Sequence, residues 1–157
     1  VFAEMQDIIP NDQQFQTAFA TIAISRTFIS RYLLTSLEIF ERGGSNPELI
    51  PNDNTLIVNL EHVLPQTESQ HWPQFSSEDH KTYRNRLGNQ TLLGSKKNSK
   101  IKDDPFSEKQ RVYGTSDFLL TQQIAGKTQW TKQEIETHQD YLAQIAIKVW
   151  QVNPPKK

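Results

Sequence analysis

The chain has 157 residues, a formal net charge of −1 and no cysteine. This length fits a single domain that can bury a core without disulfides or a partner. The lack of cysteine excludes disulfide frameworks, thiolate zinc sites and cysteine nucleophiles, and it suits a cytoplasmic protein. No apolar run approaches the roughly 20 residues of a membrane span, so we expect no membrane partner. Because it starts at Val1 without Met, we expect a piece of a longer protein.

Basic residues concentrate in one segment of the chain, from Lys81 to Lys102. This basic segment holds seven Lys or Arg and no Asp or Glu, so the remaining residues carry a net charge of −8. Such a cluster can contact phosphates although the whole chain is almost neutral. A solvated basic face is the alternative interpretation. The candidate nucleic-acid-binding residues are Arg84, Arg86, Lys96, Lys97 and Lys100.

The N-terminal part of the chain, residues 1–54, has a helical pattern. Apolar side chains recur at three- and four-residue steps between residues 12 and 42, which predicts one long helix. Asp12 is the expected N-cap, and Gly43 with Gly44 ends the helix. A stretch rich in Gly, Ser, Asn and Pro predicts a loop over residues 43–54.

The central part, residues 55–105, contains short segments of mixed type. Residues 55–64 are apolar and β-branched enough for a strand, and a capped helix begins near Ser76. After a turn at Gly88, residues 91–93 form a very short predicted strand. Residues 95–102 form a candidate helix. The pattern therefore predicts two strands followed by a helix.

The C-terminal part, residues 106–152, is helical again. Short helices are predicted over residues 107–112 and 117–125. Thr131 and Glu134 fit a capping box at the start of a longer helix. The three parts together predict one α+β, mostly helical domain, in which a small strand–strand–helix unit is braced by N- and C-terminal helices.

Ionisable and amide residues collect around the two predicted strands. Glu61 and His62 lie at the end of the first strand, and Asn98 lies on the helix that follows the second. A neutral imidazole can deprotonate water, and oxygen ligands can hold a divalent ion that neutralises a phosphate. These residue types suit phosphodiester hydrolysis. Since neighbouring strand residues point to opposite faces, Glu61 and His62 converge only if the strand is bulged or ends there.

Two motifs carry a resemblance to a known family. They are Leu60-Glu-His-Val-Leu-Pro-Gln66 and Arg86-Leu-Gly-Asn-Gln-Thr-Leu-Leu93, with Trp72 between them and Asn98 after them. With the flanking helices, they resemble the C-terminal nuclease domain of GmrSD-type modification-dependent restriction endonucleases, which belongs to the HNH (His-Me finger) nucleases. The resemblance covers most of the chain and implies a ββα-metal motif within residues 55–105.

The resemblance also implies a role for each motif residue. His62 matches the general base, and Asn89 matches the middle Asn that holds the loop and the histidine in place; we assign both as catalytic. Glu61 and Asn98 match the metal-ligand positions, and the implied cofactor is Mg²⁺ or Mn²⁺. Glu61 is one methylene longer than the Asp that is common at this position in the family.

The implied function is metal-dependent DNA cleavage in bacterial restriction of foreign or modified DNA, a form of antiviral defence. The implied partners are DNA and an N-terminal nucleotide-binding domain of the same full-length protein. A catalytically inactive nucleic-acid-binding or interaction module is the alternative from another class, and a purely structural helical domain is a third. The residues also leave RNA open as the substrate.

Each candidate site residue has a structural interpretation as well. His62 can be a hydrogen-bonded strand-end histidine, and Glu61 an exposed carboxylate. Asn98 can be a helix-surface amide, and Asn89 a turn residue. His71, His80 and His138 are expected at the surface or its boundary, and the tryptophans Trp130 and Trp150 in the core.

Overall fold

The computed structural model describes residues 9–43 and 57–151, apart from the side chains of Ser99 and Lys100. More than half of the chain is helical, and the only described sheet has two antiparallel strands, which confirms the predicted mostly helical α+β class. The predicted 43–54 loop lies almost wholly outside the described residues. The elements are α1 (Asp12–Phe19), α2 (Thr27–Glu41), β1 (Val58–His62), α3 (Ser77–Tyr83), a 3-10 turn (Leu87–Asn89), β2 (Gln90–Gly94), α4 (Ser95–Ile101), α5 (Phe106–Tyr113), α6 (Leu119–Ala125) and α7 (Lys132–Val149).

The prediction of one helix over residues 12–42 is wrong, because the chain breaks between α1 and α2. Ala23 forms an isolated antiparallel bridge with Arg86, and the backbone N–H of Ile24 donates to Asn85 at 2.7 Å. The β-branched residues of this connection lose side-chain freedom in a helix. Pairing with Asn85 and Arg86, which are distant in sequence, therefore replaces helical hydrogen bonds that the local periodicity favours.

The helix ends largely follow their predicted capping chemistry. Asn11, rather than the predicted Asp12, caps α1 by accepting from the N–H of Gln14. Thr131 caps α7 by accepting from the N–H of Glu134. Gly43 follows α2 with a φ of 68°, a left-handed conformation that glycine adopts without steric cost.

The two strands pair in antiparallel register, with Glu61 opposite Thr91 and His62 opposite Gln90. The described first strand is shorter than the predicted 55–64, and the second extends one residue beyond 91–93 at each end. Gly94 ends β2 and Ser95 begins α4, so no linker separates strand and helix. This placement brings α4 close to the end of β1 where the candidate residues lie.

The sheet lies between two hydrophobic clusters. Leu60 and Leu92 belong to a cluster formed with α1, α2, α6 and α7. Leu93 belongs to a second cluster, built around Trp130 and including parts of α5 and α7. Adjacent strand residues face opposite sides, so β2 contributes to both clusters. Within the described residues, no helix has the length and apolar character needed to cross a membrane.

Helix α7 passes very close to the 3-10 turn that precedes β2. A Cβ atom on Gly88 would lie 2.4 Å from the Ile135 carbonyl oxygen and 2.6 Å from the Cβ of Gln139, so only glycine fits here. The Gln139 carboxamide accepts from the Gly88 N–H at 3.2 Å and donates to the carbonyls of Phe19 and Ile22 at 3.0 and 2.9 Å. The side chain of Gln139 on α7 therefore connects the end of α1 to the 3-10 turn before β2.

His138 is buried, which contradicts its expected surface position. Its Nδ1 donates to the Gly88 carbonyl at 2.9 Å, and burial lowers its pKa. His80 is also buried, with Nε2 2.8 Å from the Pro65 carbonyl, so the surface expectation is wrong for both. Trp130 is fully buried, as expected, whereas Trp150 is half-buried against the first cluster.

We expect His138 to make the fold acid-sensitive. Its lowered pKa means that below about pH 6.5 the unfolded chain takes up a proton that the folded chain refuses, so stability falls as the pH drops. His138→Asn keeps an N–H donor for Gly88 and removes the titration. Urea unfolding at about pH 7.5 and about pH 5.5 should show a smaller loss for this variant than for the wild type. An equal loss of stability in the wild type and in His138→Asn would contradict the assignment to His138. His62 also has a lowered pKa, so it adds an acid-dependent loss of the same sign to both proteins.

Candidate active site

The end of β1 and helix α4 form an open cavity of about 250 Å³. Three of the sequence-predicted residues, Glu61, His62 and Asn98, line this site cavity, together with Gln66, Lys102 and Asp103 among others. His62 is the last residue of β1. Both residues therefore border one cavity at the end of β1, although the regular pairing of Glu61 with Thr91 and of His62 with Gln90 puts their side chains on opposite faces of the sheet.

Glu61 is almost fully buried, with 4% of its surface exposed. Its Oε1 accepts from the Lys109 ammonium at 2.7 Å and from the Tyr113 hydroxyl at 2.8 Å. Burial raises the pKa of Glu61, and the neighbouring ammonium opposes that shift. Oε1 is thus engaged by α5, and a hydrogen bond from the backbone of His62 also lowers the pKa of the carboxyl group.

Lys109 has none of its side chain exposed and belongs to no predicted site. Besides Glu61, its ammonium donates to the backbone carbonyl of His62 at 2.8 Å. Burial lowers the pKa of Lys109, while the carboxylate of Glu61 acts in the opposite direction. Lys109 on α5 therefore holds Glu61 and His62 in place at the end of β1, next to the site cavity.

The imidazole of His62 is neutral at pH 7. Burial, followed by the charge of Lys109, lowers its pKa to about 4. Its Nε2 lies 3.2 Å from the amide nitrogen of Gln90 and 3.3 Å from that of Gln66. Both neighbouring atoms are amide nitrogens, which can donate to Nε2 when the ring proton lies on Nδ1.

Asn98 connects α4 to β1. Its Nδ2 donates to the backbone carbonyl of Leu60 at 2.9 Å. Across the part of the chain that the structure describes, its Oδ1 makes no hydrogen bond, and the residue lines the site cavity. The amide oxygen is therefore the atom that can serve as a ligand.

Asn89 lies outside the site cavity and is fully buried. Its Oδ1 accepts from the Leu64 N–H at 2.7 Å and from Trp130 Nε1 at 3.1 Å. Its Nδ2 donates to the carbonyls of Leu64 and Arg84 at 2.9 and 3.0 Å. All four bonds go to backbone groups or to the buried ring of Trp130, so Asn89 holds the loop after His62 in place.

The candidate basic residues lie in different surroundings. Arg84 is half-buried and donates to the carbonyl of Gln66, at the edge of the site cavity, at 3.3 Å. Arg86 instead bonds Gln139 and the Ala20 carbonyl, both at 2.8 Å, and so braces α1 against α7. The ammonium of Lys97 donates to the Thr115 carbonyl.

Of the remaining basic candidates, Lys96 is exposed on α4, and the side chain of Lys100 lies outside the described residues. Lys102, which sequence reasoning counted but did not single out, is exposed and lines the site cavity. The structure therefore places Lys102 at the cavity, lets Arg84 contact the lining residue Gln66, and gives Arg86 a bracing role.

Sequence reasoning missed the partners of Glu61 and His62. Phe106, Lys109 and Tyr113 follow each other at steps of three and four residues, which places Lys109 on the buried face of α5. That spacing is the one signal that could have drawn attention to it. Gln90 had no signal beyond its position opposite His62 in the strand pairing.

No group of three or more His, Asp or Glu side chains that could hold a metal is found within residues 9–43 and 57–151. Glu61 and Asn98 supply one carboxylate and one amide oxygen at the site cavity, and Asp103 lies at its rim. A metal here would depend on few protein ligands.

The comparisons with known proteins agree with the resemblance. No curated protein matches the chain significantly. The model of the family described as GmrSD restriction endonucleases, C-terminal domain, matches residues 9–145. This span includes every residue that lines the site cavity and α7 up to Ile145. The chain therefore belongs to the C-terminal domain family of the GmrSD restriction endonucleases.

Proposed function

We propose that this nuclease-family domain hydrolyses DNA phosphodiester bonds with a divalent metal, by an HNH-type mechanism. The observation that carries the proposal is that Glu61, His62 and Asn98 all line one open cavity. The order of two antiparallel strands and a directly attached helix supports assigning residues 58–101 as the ββα-metal motif.

His62 is the proposed general base. Its lowered pKa keeps the ring neutral at neutral pH, so the unprotonated ring nitrogen can take a proton from a water that attacks phosphorus. The bond from phosphorus to the leaving 3′-oxygen then breaks, and this oxygen takes up a proton from solvent water. Lys109 holds the backbone of His62 in place through its carbonyl.

Glu61 and Asn98 are the proposed ligands of Mg²⁺ or Mn²⁺, and their donor chemistry fits such an ion. Mg²⁺ is often held by one or two protein oxygens, substrate phosphates and several waters. The Asn98 side chain offers Oδ1 because its Nδ2 is bonded to β1. Glu61 offers its carboxylate, whose Oε1 also accepts hydrogen bonds from Lys109 and Tyr113. When bound, the metal would neutralise charge at the scissile phosphate.

Arg84 and Lys102 are the proposed phosphate contacts. Lys102 lines the site cavity, and Arg84 contacts the backbone carbonyl of the lining residue Gln66. Cations there would attract the DNA backbone and make binding sensitive to salt. Lys96 is exposed on the same helix as Asn98 and is a further candidate.

The first test is nicking of supercoiled plasmid with Mg²⁺ or Mn²⁺. We expect His62→Ala to lower the rate by about 10²–10⁴-fold, because a general base contributes about that much. EDTA should abolish nicking by the wild type. His71→Ala is the matched control, since His71 is exposed and is not among the residues that line the cavity. Equal nicking by His62→Ala and the wild type would contradict the assignment of the base.

A DNA-binding module without catalysis is the second candidate. It is favoured by the ion pair of Glu61 with Lys109, which already neutralises the carboxylate. This candidate predicts salt-sensitive DNA binding that EDTA leaves unchanged, with no cleavage of modified or unmodified plasmid.

Several expectations from the sequence stay predictions. They are the single domain with its three parts, the N-terminal nucleotide-binding domain, the cytoplasmic location and the role in bacterial defence.

A further inference from the structure

We propose that Gln90 is the residue that positions the imidazole of His62, and that it makes Nε2 the nitrogen that accepts the proton. The inference rests on the proposed function, because it names the reacting atom of the proposed base. It also gives Gln90 the orienting role that the family resemblance implied for Asn89.

The placement of Gln90 supports this role. It pairs directly with His62 across the two strands, so the two side chains lie on the same face of the sheet. Gln90 is fully buried, and its Nε2 lies 3.2 Å from the imidazole Nε2. Asn89 has all its hydrogen bonds elsewhere, to Leu64, Arg84 and Trp130.

The Ile24 carbonyl fixes which end of the Gln90 amide faces His62. The amide nitrogen of Gln90 donates to this carbonyl at 2.9 Å. If the amide were turned over, its oxygen would lie against the Ile24 oxygen, and two acceptors would face each other. The nitrogen is therefore held in place, and its second N–H is available to the imidazole.

An N–H donor facing Nε2 decides the tautomer of the neutral ring. A protonated Nε2 would place two donors against each other, so the ring proton lies on Nδ1. The lone pair that can take a proton from water is then the one on Nε2. The exposed amide of Gln66 lies 3.3 Å from the same nitrogen, and an attacking water would replace this amide.

The test reads the tautomer of His62 by long-range ¹H–¹⁵N correlation in EDTA at neutral pH. Histidine is labelled with ¹⁵N, and the His62→Ala spectrum assigns the signals of His62. The wild type should show Nδ1–H alone. In Gln90→Met, the Nε2–H form should appear, because the buried donor is gone. Gln66→Met makes the same replacement at the exposed neighbour and should leave the wild-type tautomer.

A wild-type spectrum with Nε2–H overturns the proposal without any variant. So does a folded Gln90→Met protein that keeps Nδ1–H alone, or a tautomer change in Gln66→Met but not in Gln90→Met. In plasmid nicking, Gln90→Met should lower kcat by about 10–100-fold with KM unchanged, as loss of an orienting partner does. Absence of nicking by the wild type contradicts the proposed function, whereas the spectrum still decides where the proton lies.

Discussion

Replacing Lys109 with Met should lower the free energy of unfolding by about 3–5 kcal/mol. The substitution leaves the buried carboxylate of Glu61 without its ion-pair partner and the carbonyl of His62 without its donor. Removing one member of a buried pair is costly because the remaining charge has lost its water and gains no replacement. Urea unfolding followed by tryptophan fluorescence measures the change, since Trp72 lies beside Lys109 and is buried.

The same helix offers a matched control. Arg111 and Glu108 form an ion pair on the exposed face of α5, with 75% and 45% of their side chains exposed. Arg111→Met should cost less than about 1 kcal/mol, because water screens such pairs. The double variant Lys109→Met, Glu61→Gln should recover part of the loss, since no unpaired charge remains. A Lys109→Met protein as stable as Arg111→Met would contradict the importance of the buried pair.

Asn89→Ala should cost at least about 3 kcal/mol of stability. The substitution removes four hydrogen bonds at once and leaves buried groups of Leu64, Arg84 and Trp130 without partners. Each unsatisfied buried group costs about 1–3 kcal/mol. Denaturant unfolding of the variant measures the loss.

Two further variants sharpen the Asn89 prediction. Asn89→Asp keeps the shape but turns an acceptor toward two backbone carbonyls, so it should also destabilise the fold. Asn85→Ala, four positions earlier, should change stability by less than about 0.5 kcal/mol, since among the described residues its side chain makes no hydrogen bond. A tolerated Asn89→Asp would show that the four bonds do not hold the loop as described.

Local patterns were sufficient for the parts of the fold that depend on nearby residues. The spacing of Ile135, Leu142 and Val149 together with the cap at Thr131 predicts α7, and the structure has this helix at Lys132–Val149. The break between α1 and α2 was missed because it depends on Arg86, which is distant in sequence.

In the candidate site, too, local sequence patterns predicted some features, whereas others depend on residues that are distant in sequence. The sequence placed Glu61 and His62 at a strand end, and the structure brings both to one cavity with Asn98. The side chains that control their charge and orientation are separate in sequence: Lys109 lies 48 residues from Glu61, and Gln90 lies 28 from His62. No local pattern encodes such pairings, since they depend on how α5 and β2 pack.

The bonds of Gln139 have a consequence for synthesis of the protein on the ribosome. At the turn before β2, Gly88 and Arg86 both donate hydrogen bonds to Gln139. His138 bonds the Gly88 carbonyl of the same turn. During synthesis, β1 and β2 leave the ribosome before α7, which carries Gln139 and His138. Domains generally fold as units. The turn therefore lacks its support until α7 has left the exit tunnel. We therefore expect the turn, and the strand that it leads into, to reach their final support only after α7 has been synthesised.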